Sequence, residues 1–169
     1  MSFTLPGPFS GSLESMLVFV VLSAFSGFVA ALVMGVPMSR QEDGFTPAYI
    51  AASILRGTTP DEVSEGDAYV THYGAGVLAG ILYAVAYTAL AALLPPLVSV
   101  GSMLVLPHAV ATVVVVGFVY SFFAHLVLPR AGKRVYEERS TAVRGQWLRS
   151  SFVFGLTLVV VLPLLTAGL

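Results

Sequence analysis

The chain has 169 residues, of which 57% are hydrophobic and only 10% are charged, and its formal net charge is −1. Soluble domains carry about 25% charged residues, so this composition indicates a membrane protein, and the absence of a basic excess excludes a nucleic-acid partner. The chain contains no cysteine, which excludes disulfides, thiolate zinc sites, iron–sulfur clusters and cysteine nucleophiles.

Four apolar segments are each long enough to cross a membrane. They cover about residues 16–38, 69–94, 103–128 and 148–168, and each reaches the roughly 20 helical residues that a hydrocarbon core of about 30 Å requires. The first has no Lys or Arg before it and is longer than the apolar region of a signal peptide, so we interpret it as an uncleaved span. The sequence predicts an all-α fold: a single membrane domain over residues 1–169, built as an integral membrane four-helix transmembrane bundle.

The first connection, residues 39–68, contains helix signals of its own. In TPAYIAASILRG, Thr46 is the predicted cap, the following proline suits the first helical position, and Gly57 suits the end. TTPDE repeats the start signal, with Thr59 as cap and Glu62 at the capping-box position. We therefore predict a short helical cytoplasmic loop between spans one and two.

The basic residues predict how the spans are oriented. All eight Lys and Arg residues fall between spans one and two or between spans three and four, counting Arg149 at the start of span four. The positive-inside rule then assigns loops 39–68 and 129–147 to the cytoplasm. We predict a multi-pass protein of the cytoplasmic membrane with both termini extracytoplasmic.

Spans two and three carry matching stripes of histidine and small residues. If the turn between them centres between residues 98 and 99, His72 and His125 lie at the same depth. The residues that follow at four-residue spacing also pair: Gly76 with Ser121, and Gly80 with Gly117. Small residues at this spacing allow close helix contact in lipid. The stripes predict a helix-packing seam with the two histidines meeting at its cytoplasmic end.

Three interpretations of His72 and His125 stay open. In the first, the imidazoles bond each other, backbone or headgroup water and complete the interface. In the second they bind a cofactor, either b-type haem through an axial histidine pair or a metal with Glu65 or Asp67 as a further ligand. In the third they handle protons, because imidazole titrates near neutral pH. Of the other ring side chains, we expect His108 at the outer interface and Trp147 as a membrane anchor at the start of span four.

No catalytic motif stands out. The sequence has no Gly-rich phosphate loop, no Ser–His–Asp arrangement and no His-Glu-x-x-His pattern, so no catalytic residue is assigned. The first span ends GFVAALVMGVPM, the second contains HYGAGVLAGILYAVAY, and the third ends GFVYSFFAHLVLP. In this order of segments the chain resembles small four-span inner-membrane proteins of bacteria and archaea. The resemblance implies an all-helical integral membrane protein and no particular activity; where that pattern places an acidic residue beside the third-span histidine, this chain has Leu126.

These features favour a non-enzymatic membrane protein, an accessory or assembly subunit that works through helix packing. Small residues in the first two spans favour association in lipid: Ala30, Ala31, Gly35, Ala84, Ala91 and Ala92. We expect the bilayer as its environment and a homo-oligomer or a membrane complex as its assembly. One alternative is an electron-transfer subunit that binds b-type haem or a metal through His72 and His125. A second alternative is a small oligomeric transporter or channel.

Overall fold

Helices carry most of the chain in the computed structural model, which describes residues 12–131 and 133–167. The elements are, in order, α1 (Leu13–Met38), α2 (Thr46–Arg56), a 3₁₀ turn (Pro60–Glu62), α3 (Glu65–Leu93), β1 (Ser99–Val100), β2 (Met103–Leu104), α4 (Val105–Ser121), a π-helical turn (Phe122–Val127), α5 (Leu128–Ala131) and α6 (Lys133–Thr166). Four helical segments are long and apolar enough to cross a membrane: α1, α3, α4 with the π turn, and α6 from Ser140. The predicted all-α fold and its four apolar helices are confirmed, and they indicate a multi-pass membrane protein.

The four long helices form a ring in which each has two main neighbours. α1 packs against α3 and α6, and α4 packs against the same two helices from the other side. The short helix α2 packs against α3, α5 and the π turn. We call this the α2 end of the bundle. The two-residue strands β1 and β2 pair antiparallel between α3 and α4 at the opposite end, which we call the hairpin end.

The contact between α1 and α3 is close because glycines meet there. A Cβ atom on Gly27 would overlap the carbonyl oxygen of Gly76 and lie 2.8 Å from the amide nitrogen of Gly80. A Cβ atom on Gly80 would overlap the carbonyl oxygen of Ser23. Lipid gives helices little hydrophobic reason to associate, so this backbone approach supplies the van der Waals contact that holds α1 against α3.

Two tyrosines of α3 make the polar contacts of the hairpin end. The hydroxyl of Tyr83 lies 2.6 Å from Nδ1 of His108, and Nε2 of His108 lies 3.3 Å from the carbonyl oxygen of Val159. A carbonyl only accepts, so Nε2 carries the proton and Tyr83 donates to Nδ1. Tyr87 accepts from the amide of Leu104 at 2.9 Å. The sequence predicts His108 at the outer interface; in the structure its ring is buried and links α3, α4 and α6.

α2 forms where the sequence predicts it, with its start shifted by one residue. Thr46, the predicted cap, is the first helical residue, and Phe45 occupies the cap position. Gly57 ends the helix with a φ of 68°, in the left-handed region that favours glycine. The second signal gives the 3₁₀ turn, where the Glu62 carboxylate accepts from the amide of Thr59 at 3.0 Å and this bond lowers the pKa of Glu62.

A π-helical turn continues α4 at the α2 end. The amide of Leu128 bonds the carbonyl of Phe123, five residues back, instead of the carbonyl of Ala124 that an α-helix would use. The carbonyl of Ala124 is thereby available, and Nε of Arg144 on α6 donates to it at 3.1 Å. The π turn therefore frees one helical carbonyl to accept a bond that joins this turn to α6.

Candidate functional site: a cavity at the α2 end

A cavity of about 90 Å³ lies inside the bundle at the α2 end, partly open to the outside. α1, α2, α3, α4 and α6 all contribute to its wall. Most of the wall is apolar and includes Met34, Met38, Ala48, Ala79, Val116 and Phe154; its polar side chains are Thr71, His72, Tyr120, Trp147, Ser150 and Ser151. Among the described residues that line it, none carries a formal charge at neutral pH.

Small side chains on α2 and α3 leave this space open. α3 presents Ala75, Gly76 and Ala79 toward the cavity, and α2 presents Ala48 and Ala51. None of these residues reaches beyond Cβ, so the centre of the bundle is left unfilled. Gly76 therefore belongs both to the close contact with α1 and to the wall of the cavity.

His72 contributes a buried imidazole ring to the cavity wall. It is 6% exposed, and its Nε2 lies 3.1 Å from the carbonyl oxygen of Ala31 on α1. Because the carbonyl can only accept, Nε2 carries the proton and Nδ1 keeps a lone pair. The rings of Phe45 and Tyr73 hold the imidazole edge to face at centroid distances of 5.3 and 5.2 Å. No described residue hydrogen-bonds Nδ1.

The two serines of the wall are also acceptors. Ser150 donates its hydroxyl proton to the carbonyl of Gln146 at 3.1 Å, and Ser151 donates to the carbonyl of Trp147 at 2.8 Å. Each oxygen keeps lone pairs for a further donor. With His72 they give the wall three groups that can only accept a hydrogen bond from a ligand, beside the hydroxyls of Thr71 and Tyr120. The rest of the wall is apolar and uncharged.

Trp147 belongs to the core of the α2 end, and its predicted role as a membrane anchor is wrong. Its side chain is 5% exposed, packs with Ile50 of α2, and donates from Nε1 to the carbonyl of Asp43 at 3.3 Å. The signal for this was present in the sequence. Val143, Trp147, Ser150 and Phe154 recur at helical spacing, so the inner face of the fourth span begins before residue 148.

The structure does not bring His72 and His125 to the same depth. The bonded pairs Tyr87–Leu104 and Tyr83–His108 are both centred between residues 95 and 96, three residues before the predicted centre. The shift arises because residues 94–104 leave the helical path to form the hairpin. His72 then lies level with Val119 and Tyr120, which line the same cavity.

His125 lies in the π turn, six residues beyond Val119, which is about 9 Å further toward the α2 end. Its side chain is exposed and its ring contacts Tyr120, with 6.1 Å between centroids. A cofactor held between the two histidines stays a prediction that no contact supports. Within the part of the chain that the structure describes, no group of three or more His, Asp or Glu side chains is placed to hold a metal. Asp67, a candidate further ligand, pairs with Arg56.

The predicted packing seam between spans two and three is also wrong. Gly76 and Gly80 face α1, where they meet Gly27 and Ser23. Gly117 and Ser121 are exposed on the outside of α4, and a Cβ atom on Gly117 would meet nothing within 4 Å. The stripe on span one, which also has small residues at four-residue spacing, is the one that complements α3.

Comparison with protein-family models, with curated proteins and with solved structures gives no match for this chain. The resemblance to small four-span inner-membrane proteins therefore stays a prediction. Any function has to be argued from the cavity and from the outer surface of the bundle.

Proposed function

We propose that the chain is a multi-pass protein of the cytoplasmic membrane that works by binding, and that it takes an apolar small molecule or lipid chain into the cavity at the α2 end. In this proposal the α2 end faces the cytoplasm and both termini lie outside, because the basic residues cluster in the two connections at that end. The single observation that carries the binding role is the cavity itself, which is apolar, uncharged and open to one side.

The shape of the cavity supports a narrow ligand. An apolar cavity of roughly 150 Å³ is enough to bind benzene, so a space of about 90 Å³ suits an aliphatic chain better than a planar macrocycle. The α4 side of the wall consists of half-buried side chains, among them Val116, Val119 and Phe123. An aliphatic chain of a ligand in the cavity can therefore extend past α4 into the surrounding lipid.

Trp147 gives a direct test, because it is the only tryptophan and it lines the cavity. Bromine quenches indole fluorescence on contact, so a brominated alkane added to the protein in nanodiscs is expected to quench Trp147 saturably. Ala75→Phe on α3 and Ala51→Phe on α2 fill the space from different helices, and each is expected to remove the saturable quenching.

The control is Ala89→Phe, the same substitution at an exposed position of α3. It is expected to leave the quenching unchanged. Quenching that rises linearly with probe in every variant would reflect partition into the lipid alone and would refute a binding cavity.

A second candidate function is the accessory or assembly role, for which the outer face of α4 provides the support. Ala30, Ala31 and Ala84, which the sequence suggested for association, are buried within the bundle. Gly117 and Ser121 are exposed beside Phe118, and small residues at this spacing permit a close helix contact in lipid. The occupant that this proposal names is α4 of a second copy of the chain.

Cysteine crosslinking tests this self-association, and the natural chain contributes no cysteine of its own. Gly117→Cys is expected to give a disulfide-linked dimer when membranes are oxidised. Gly74→Cys on α3 is the matched control, because a Cβ at Gly74 also meets nothing within 4 Å. Equal crosslinking at both positions would show random collision and would remove the support for a dimer through α4.

A further inference from the structure

We propose that the cavity selects a neutral ligand with a hydroxyl group at the end of its aliphatic chain, and that Nδ1 of His72 accepts the hydrogen bond from this hydroxyl. The inference rests on the proposed function, because it names the chemistry of the molecule that the cavity binds. It follows from three properties of the wall. These are the ring nitrogen of His72 that carries the proton, the hydrogen bonds that the neighbouring serine hydroxyls donate, and the absence of charge among the described lining residues.

The bond from His72 to α1 decides which nitrogen is left available to a ligand. Nε2 is committed to the carbonyl of Ala31 at 3.1 Å, so the neutral ring can only accept at Nδ1. His72 lines the cavity, and Nδ1 has no hydrogen-bond partner among the described residues, so a donor on a ligand can bond it. A ligand that brings a donor gains this hydrogen bond, whereas a pure hydrocarbon does not.

The neighbouring polar groups point to the same ligand chemistry. The hydroxyl protons of Ser150 and Ser151 are used within α6, so these oxygens also offer lone pairs. A carboxylate or phosphate would enter a low-dielectric space without a cation, because no Lys or Arg is among the described lining residues and only the hydroxyls of Thr71 and Tyr120 could donate to it. An ammonium would enter a low-dielectric space without a carboxylate partner. A neutral hydroxyl is the donor that fits.

The experiment compares probes of equal chain length. In each probe the bromine is on the second carbon, counted from the end that carries the hydroxyl, ether or carboxylate group, or from either end of the plain alkane. The bromoalkanol is expected to bind about fivefold more tightly than its methyl ether or the plain bromoalkane, as measured by Trp147 quenching, which is the range of one neutral hydrogen bond. The corresponding carboxylate is expected to bind more weakly than the alcohol.

His72→Phe keeps an aromatic ring in the wall and removes the acceptor. This variant is expected to bind the alcohol and the hydrocarbon equally. His125→Phe, at the exposed histidine outside the cavity, is expected to keep the preference for the alcohol. If His72→Phe does not fold, the methyl ether and the plain bromoalkane still decide the question in the natural protein, because the ether keeps the oxygen of the ligand without its donor and the alkane has neither.

The outcomes separate this inference from the function on which it rests. If no probe quenches saturably, the proposed function fails. If all probes bind with equal affinity, the cavity binds aliphatic chains without a preference for a hydroxyl group, and this inference alone is overturned. A brominated diacylglycerol in the nanodisc distinguishes a lipid hydroxyl from a free alcohol: saturable quenching that depends on His72 identifies the lipid as a source, and quenching by the alkanol alone identifies the free alcohol.

Discussion

Replacing Gly80 by alanine is expected to destabilise the bundle by about 1–3 kcal/mol, the usual cost of overpacking a well-packed core. The new Cβ would overlap the carbonyl oxygen of Ser23 and lie 3.0 Å from Cα of Ala24, so it meets backbone that can yield only if the two helices separate. Gly27→Ala meets backbone in the same way and is expected to cost a similar amount. The measurement is unfolding in mixed micelles of increasing SDS content, followed by circular dichroism.

Two other helical glycines serve as controls for this prediction. A Cβ at Gly74 or at Gly117 meets nothing within 4 Å, so alanine there is expected to be neutral or to stabilise by up to about 0.5–1 kcal/mol through helix propensity. If Gly80→Ala were as stable as Gly74→Ala, α1 and α3 would be further apart than the structure has them.

Replacing Trp147 by alanine is expected to cost about 3 kcal/mol or more, because the indole is buried between α6 and α2 and its removal leaves a void. The change also removes the bond to the carbonyl of Asp43 that holds the chain between α1 and α2. Phe152→Ala on the same helix, where the ring is 64% exposed, is expected to change the unfolding free energy little.

A membrane anchor at position 147 would behave differently. Tyrosine also serves at membrane interfaces, so Trp147→Tyr would restore an anchor completely. For a packed indole, tyrosine is expected to restore stability only in part, because the smaller ring does not fill the same space. Full rescue by tyrosine would therefore contradict the core position of Trp147.

The elements that sequence reasoning predicted well are those set by local chemistry. Apolar length defines the four long helices, and α2 ends at Gly57 because glycine accepts a left-handed conformation. The 3₁₀ turn begins after Thr59, where Glu62 closes the cap. Each of these signals lies within a few residues of the structure that it determines.

Helix faces and depth were harder to predict because they depend on other parts of the chain. Gly76 and Gly80 require a small partner stripe, and span one offers one in Ser23, Gly27 and Ala31 just as span three offers one in Gly117 and Ser121. Hydropathy does not distinguish the two partners. The depth of His72 relative to span three depends on the conformation of residues 94–104. The sequence of that segment does not indicate the two short strands that it forms.

The cavity was beyond sequence reasoning for a different reason. A void is the space that five helices together leave unfilled, and no single stretch of the chain encodes it. The alanines that border it, such as Ala75 and Ala79, have the same appearance in the sequence as alanines that pack tightly. What the sequence did single out was His72, which does line the cavity, although the partner predicted for it lies elsewhere.

The ring of helices has a consequence for the order in which the bundle is assembled during synthesis. α1 contacts α3 and α6, so its two neighbours leave the ribosome at different times. The glycine contact with α3 is available first and gives a two-helix unit in the bilayer, with α2 already tethered beside it. The other flank of α1 stays covered by lipid until α6 is inserted, and only then do Trp147, Ser150 and Ser151 complete the cavity wall. The wall of the cavity is therefore complete only when α6 is in place.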